Sequence, residues 1–147
     1  KRGRVVAMSN SKLSQRDYRL LAEFRFLLRR FMAFSEKAAR ADGLAPQQHQ
    51  ALLAIKGFSK GKLPAIGDLA YRLGIRHHSA VELIDRLETA GLVKRQDDPT
   101  DARKVAIALT AAAENSLARL ASTHREELRR LAPVLAELLV KIEDAND

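Results

Sequence analysis

Apolar residues recur at spacings of three and four along most of this chain, and only one short stretch alternates. The pattern predicts a mainly α-helical protein. Between about Gln15 and Ala41, the residues Leu20, Phe24, Leu27, Phe31, Phe34 and Ala38 follow alternating steps of four and three, a heptad-like seam. Ser14 suits the N-cap, with Asp17 three residues on as a capping-box partner. Leu21, Leu28 and Met32 widen the apolar surface beyond one stripe. A helix this long and this broadly apolar needs more cover than a small domain supplies, so it is expected in a dimer interface.

Asp42-Gly43 ends that helix, and Pro46 suits the first turn of the next, to about Lys56, with Leu52, Leu53 and Ile55 as core contacts. Gly57–Gly61 is a break, and Leu63-Pro64-Ala65 reads as a short edge strand. Ile66–Leu73 reads as a short helix with Leu69, Ala70 and Leu73 inward. Gly74 follows, where a left-handed residue is expected. A second helix runs from about His77 to Ala90, and Gly91 ends it. Two short helices about a tight Gly turn make a helix-turn-helix.

Leu92–Gln96 and Lys104–Leu109 read as strands, the second alternating Val105, Ile107 and Leu109 against Lys104, Ala106 and Ala108. Residues 97–103 between them are a polar hairpin tip, so the helix-turn-helix carries a wing. Thr110 caps a long helix, Ala111 to about Leu131, with Leu117, Leu120, Ala121, Leu128 and Leu131 apolar and His124 in the same series. Pro133 is expected to break it and start a last helix carrying Val134, Leu135, Leu138, Leu139 and Ile142. The expected fold is therefore about six helices plus a β-hairpin wing, one domain over residues 1–147. Residues 44–110 would form the DNA-binding lobe. Residues 14–41 and 111–144 would dimerise through Leu20, Phe24, Leu27, Phe31, Leu135, Leu138, Leu139 and Ile142.

At about 100° per residue, Ala80, Leu83, Ile84 and Leu87 share the buried face of the second helix of the motif. His78, Ser79, Glu82, Asp85 and Arg86 fall opposite, with Val81 at the boundary. The N-terminal part of such a helix enters the major groove. The residues expected at base edges are His77, His78, Ser79, Val81 and Glu82, with Arg86 beside them. Ser and His donate to base acceptors, Glu accepts from a cytosine amine, and an apolar group meets a thymine methyl. Glu82 is equally readable as a solvated or salt-bridged charge. Lys94, Arg95, Arg103 and Lys104 give the wing its cations, and an arginine at the tip can reach an adjacent minor groove. Asp97 and Asp98 are expected to shape the turn, and Asp101 to orient Arg103.

Charge supports the same direction. Against 18 Asp and Glu stand 26 Lys and Arg, a net charge of +8 that favours polyanions. There is no cysteine, which removes disulfides, thiolate catalysis and zinc–cysteine sites. No apolar run approaches the ~20 residues of a membrane span, and the basic stretch Lys1–Asn10 is followed by no long apolar one. The expectation is a cytoplasmic protein with no membrane partner. Lys1-Arg2-Gly3-Arg4 reads as a tail, or as an arm on DNA phosphates.

His77 and His78 point about 100° apart, so they do not readily share a metal, and no cofactor is expected. An enzyme using His77 with Glu82 fails on geometry, since five residues place them about 140° apart. A winged-helix protein-interaction module that reads no DNA is the alternative, and it predicts an uncharged groove-facing surface. His49 and His124 lie far apart in sequence. His124 reads as a packing residue or as part of a ligand pocket.

Several segments together resemble one family. Asp68-Leu69-Ala70-Tyr71-Arg72-Leu73-Gly74-Ile75 and Val81-Glu82-Leu83-Ile84-Asp85-Arg86-Leu87-Glu88-Thr89-Ala90-Gly91-Leu92-Val93 resemble the MarR-family helix-turn-helix. Asp98-Pro99-Thr100-Asp101-Ala102-Arg103-Lys104, followed by Val105-Ala106-Ile107-Ala108-Leu109-Thr110, is similar to its wing. Leu44-Ala45-Pro46-Gln47-Gln48 resembles the entry to its second helix. The resemblance spans about Ser14 to Ile142. It implies a dimeric transcriptional regulator, commonly a repressor, on a pseudo-palindromic operator, with a small phenolic or anionic effector bound between the two regions. It assigns Arg103 to the minor groove. His77-His78 and Glu82 depart from the family pattern, so no operator sequence carries over.

Overall fold

A computed structural model describes residues 13–58 and 61–144; the Lys1–Arg4 arm lies outside them. The elements are α1 (Gln15–Ala41), α2 (Pro46–Lys56), α3 (Ile66–Leu73), α4 (His77–Thr89), β1 (Val93–Asp97), β2 (Val105–Leu109) and α5 (Ala111–Asp144). This is a winged helix-turn-helix held between two long helices.

Local chemistry sets the boundaries. Ser14 and Asp17 form the expected capping box on α1, with the Ser14 N–H donating to Asp17 Oδ2 at 2.8 Å. Gln48 and Asp68 reach back to the N–H groups of Ala45 and Ala65 at the starts of α2 and α3. Gly74 adopts φ 65° between α3 and α4, a left-handed turn that leaves the Ile75 N–H to close on the Ala70 carbonyl. Thr110 Oγ1 caps α5 through the Ala113 N–H and also donates to the Gly91 carbonyl, which ties the end of the wing to the end of α4.

The main core lies under α4. Leu52 and Ile55 of α2, Leu69 of α3, Leu83, Ile84 and Leu87 of α4, Val93, Ile107, and Leu117 and Leu120 of α5 pack as one cluster. A second cluster joins α1 to the far half of α5: Leu27, Leu131 and Leu138 are buried, with Leu20, Phe24, Phe31 and Leu135 packed around them.

Four expectations need correction. There are five helices in the described residues, because α5 runs unbroken through Pro133. An internal proline forfeits the hydrogen bond to the carbonyl four residues back, at a cost of about 3 kcal/mol. That carbonyl belongs to exposed Arg129 and can turn to water, while Leu131 and Leu138 on the same helix bury against α1 at roughly 1.5–3 kcal/mol each. Leu63-Pro64-Ala65 is not a strand. Pro64 is fully buried and makes a single ladder-like bond, accepting from the Ile107 N–H at 2.9 Å. Leu53 is exposed, not core. β1 sits one residue later than expected, β2 starts one residue later and ends as expected at Leu109, and β2 does not alternate: Ala106, Ile107 and Ala108 are all buried, while Val105 is exposed. Alanine is small enough to lie between helix and sheet on either face, so alternation written in alanines carries no facing information.

Candidate nucleic-acid interface

The α4 helix presents the face its sequence predicts. Ala80, Leu83, Ile84 and Leu87 are buried, whereas His77, His78, Glu82, Asp85 and Arg86 are exposed, and Ser79 and Val81 are half-buried. No side chain caps its N-terminus, where Arg76 stands in extended conformation. Among the described residues Glu82 has no cationic partner, and Arg86 has no carboxylate partner.

Beside α4, β1 and β2 pair antiparallel from Val93 opposite Leu109 to Asp97 opposite Val105. The tip is closed by its own backbone: the Asp98 N–H donates to the Lys104 carbonyl and the Lys104 N–H to the Asp101 carbonyl, each at 3.0 Å. Asp98 accepts from the Thr100 N–H at 2.8 Å and hydroxyl at 2.7 Å, and these bonds hold its carboxyl below the ordinary carboxylate range. Asp97, expected in the turn, is the last residue of β1. Asp101 accepts from the Arg103 N–H at 3.0 Å and from Nε at 3.2 Å, the first of these bonds doing most to lower its pKa. The Arg103 side chain is nonetheless 91% exposed. It is aimed by Asp101 at one nitrogen and left open at its terminal amines.

Arg95 is placed differently from its expected role on DNA. It turns inward to α4, donating to Asp85 Oδ1 at 2.6 Å and to Glu88 Oε1 at 2.9 Å, and its backbone N–H donates to Glu88 Oε2 at 3.3 Å. These bonds, led by the one to Asp85, raise its pKa and commit its guanidinium. Arg95 thus pins the wing to the helix and has no free fork for phosphate. Lys94 and Lys104 remain exposed. Arg76 and Arg72 are further exposed cations at the edges of the motif, outside α4 and the wing. Arg76 immediately precedes His77, an adjacency visible in the sequence.

The expected dimer residues divide. Leu20, Phe24, Leu27, Phe31, Leu135 and Leu138 pack within one chain, in the α1–α5 cluster, with Leu27 and Leu138 buried and the other four partly buried. Leu139 and Ile142 stay exposed, as do Leu21, Leu28 and Met32 on α1. The heptad-like seam of α1 is covered by α5 of the same chain; the surplus apolar width is what is left over.

Between α1, α2 and α5 lies a cavity of about 590 Å³. His49, Leu53, Leu117, His124 and Leu128 line it, with the Lys56–Glu114 ion pair at 2.8 Å. His124 both packs, edge-on to Phe31 and Phe34, and lines this cavity. Elsewhere among the described residues no three His, Cys, Asp or Glu side chains converge as a metal set, and no helix is long and apolar enough to cross a membrane.

Residues 42–104 match the family model described as the MarR family. An uncharacterized HTH-type transcriptional regulator of Bacillus subtilis, YcgE, is 38% identical over 84 residues, which cover 57% of this chain and 53% of that protein. The chain thus matches about half the length of that relative. Among solved structures, AbsC, a MarR family transcriptional regulator from Streptomyces coelicolor, superposes with a TM-score of 0.70 at 23% identity, over 90% of each chain. A mutant of S. aureus MepR bound to an oligodeoxyribonucleotide has a TM-score of 0.62 at 21% identity, over 86% of this chain and 91% of that one. Residues 42–104 are thus similar to the MarR family, and the fold of the chain is the winged helix-turn-helix that AbsC also has.

Proposed function

We propose that this chain is a homodimeric, sequence-specific regulator of transcription that binds double-stranded DNA and acts as a repressor. The observation that carries the reading is the pairing of an exposed polar helix start, Arg76 to Glu82, with a wing whose tip arginine is oriented by Asp101 and almost fully exposed. A helix fits the major groove and an arginine-tipped wing fits the narrow minor groove beside it. Lys94, Lys104, Arg72 and Arg86 add phosphate neutralisation, which makes affinity salt-dependent. MepR bound to an oligodeoxyribonucleotide supports this use of the fold.

The exposed apolar residues of α1 and α5 pair two copies and set their α4 helices about 34–36 Å apart, one turn of a pseudo-palindromic operator. A dimer seated there blocks polymerase. The α1–α2–α5 cavity takes a small phenolic or anionic effector. Such an effector releases DNA only to the extent that it binds better to the other lobe spacing.

Selection from random duplex DNA should return a palindrome. On that duplex, Arg103→Ala should weaken binding about tenfold or more in gel-shift titration, with the sedimenting species unchanged. Unselective binding, or unchanged affinity of the variant, overturns the reading. Absence of salt-sensitive retention on heparin favours the protein-interaction module instead.

A further inference from the structure

The α1–α2–α5 cavity has one polar flaw. His49 on α2 is 4% exposed, and its Nδ1 has no hydrogen-bond partner. Its ring lies 5.0 Å from that of His124 on α5. His124 is held at both nitrogens: Nδ1 meets the Leu120 carbonyl at 2.7 Å, and Nε2 meets Ser35 Oγ of α1 at 2.8 Å. A carbonyl only accepts, so Nδ1 carries the hydrogen in the neutral ring and Nε2 accepts from the serine hydroxyl. That hydroxyl can turn, so His124 can hold a second ring proton with both N–H bonds made. His49 cannot, because an N–H at its Nδ1 would be buried without an acceptor. The two rings face each other across the joint between the winged-helix lobe and the long helices.

We infer that the His49–His124 pair is a proton-sensitive latch, closed while both rings are neutral and forced apart by protonation, so that acidification loosens the lobe from α5 and weakens DNA binding. The last step rests on the DNA-binding reading above.

The surroundings offer a charged pair little relief. Asp42, at the C-cap of α1, faces His49 but is already bound by Arg119 of α5 at 2.9 and 3.3 Å. Lys56 of α2 and Glu114 and Arg125 of α5 line the cavity, and Lys56 and Glu114 neutralise each other. On α3, Asp68 is turned to its own N-terminus and Arg72 is exposed; β2 holds no ionisable residue. Burial first, and His124 second, hold His49 below the ordinary histidine range, against a smaller opposing pull from Asp42. A histidine depressed in the folded state favours folding most above its unfolded value of 6.5, and that advantage is lost as pH falls below it.

The test uses the full chain and a fluorescent duplex selected at pH 7.5, titrated at pH 7.5 and 5.5 at constant ionic strength. Relative to His49→Gln and His49→Leu, the unsubstituted protein should lose about tenfold or more in affinity on acidification. Coincident pH profiles for the three proteins would overturn the latch. Ring-resolved NMR titration gives a second readout that needs no DNA. The His49 ring should take up a proton only below pH 6.5, with shifts spreading through α2 and α5 as it does. Two rings that stay neutral to pH 5 would sink the idea. Failure to bind DNA at any pH would refute the regulator reading alone, and the ring titration would then decide the latch.

Discussion

Gly74 holds φ 65° with open space around the position a Cβ would occupy, so its requirement is conformational and not steric crowding. A Cβ in the left-handed region costs roughly 1–2 kcal/mol. Gly74→Ala should lower unfolding free energy by about 1 kcal/mol in urea titration, and Gly74→Asn by less, because Asn tolerates that region. Equal losses for both would mean that packing, and not the backbone, makes the demand. Asp42 acts at the same scale by a different means. Its hydrogen bond from Arg119 leads the effects that hold its carboxyl below the ordinary carboxylate value of 3.8, and Ser116 adds to it. A carboxylate depressed in the folded state stabilises above its unfolded pKa and loses that contribution as pH falls below it. Asp42→Asn should therefore melt lower than the unsubstituted protein near neutral pH, by at most about 1 kcal/mol for a pair whose arginine is largely exposed, and the gap should narrow as pH falls below 3.8. A gap that persists undiminished below that pH would assign the loss to packing.

At the scale of elements, Arg95 is the joint between α4 and the wing. Partly exposed ion pairs contribute about 0.2–1 kcal/mol each. Arg95→Ala should thus cost little in global stability. Its larger effect should be on amide hydrogen exchange, which rises along β1 and β2 while α2 keeps its protection. Uniformly unchanged exchange in the wing would show that the strand pairing alone sets its pose. The residues also explain what could be read in advance. Helices α1 to α4 were legible because caps and glycines mark their ends: Ser14 with Asp17, Pro46, Gly74, Gly91. The buried face of α4 was legible because four large or apolar residues repeat at helical spacing. The ion pairs of Arg95 were not legible, because the sequence displays its charge and not its partners, ten and seven residues away, which turn toward it only once β1 docks. Pro133 was misread because proline's local cost is visible in the sequence, while the leucines that outweigh it act across a tertiary contact. Joining His49 with His124 likewise required the packing of α2 on α5.

For the whole molecule, the division of apolar residues on the long helices decides which substitutions report on assembly. Phe31 packs within the chain, so Phe31→Glu would injure the fold itself. Met32 and Leu139 are about half exposed and lie outside both core clusters. Met32→Glu with Leu139→Glu should yield a folded monomer by sedimentation and circular dichroism. An intact dimer would move the interface elsewhere.

The unbroken α5 has a mechanical corollary. Its 34 residues make a rod of about 51 Å, rooted at Thr110 where the wing ends and extending to Asp144. Had Pro133 severed it, motion at the far tip would dissipate at the kink. As a single strut, it converts a tilt of about 5° at one end into a displacement of about 4 Å at the other, more than the ~3.4 Å rise of one base step. A small angular change at the root of α5 is thereby amplified at its tip to a distance comparable with one base step.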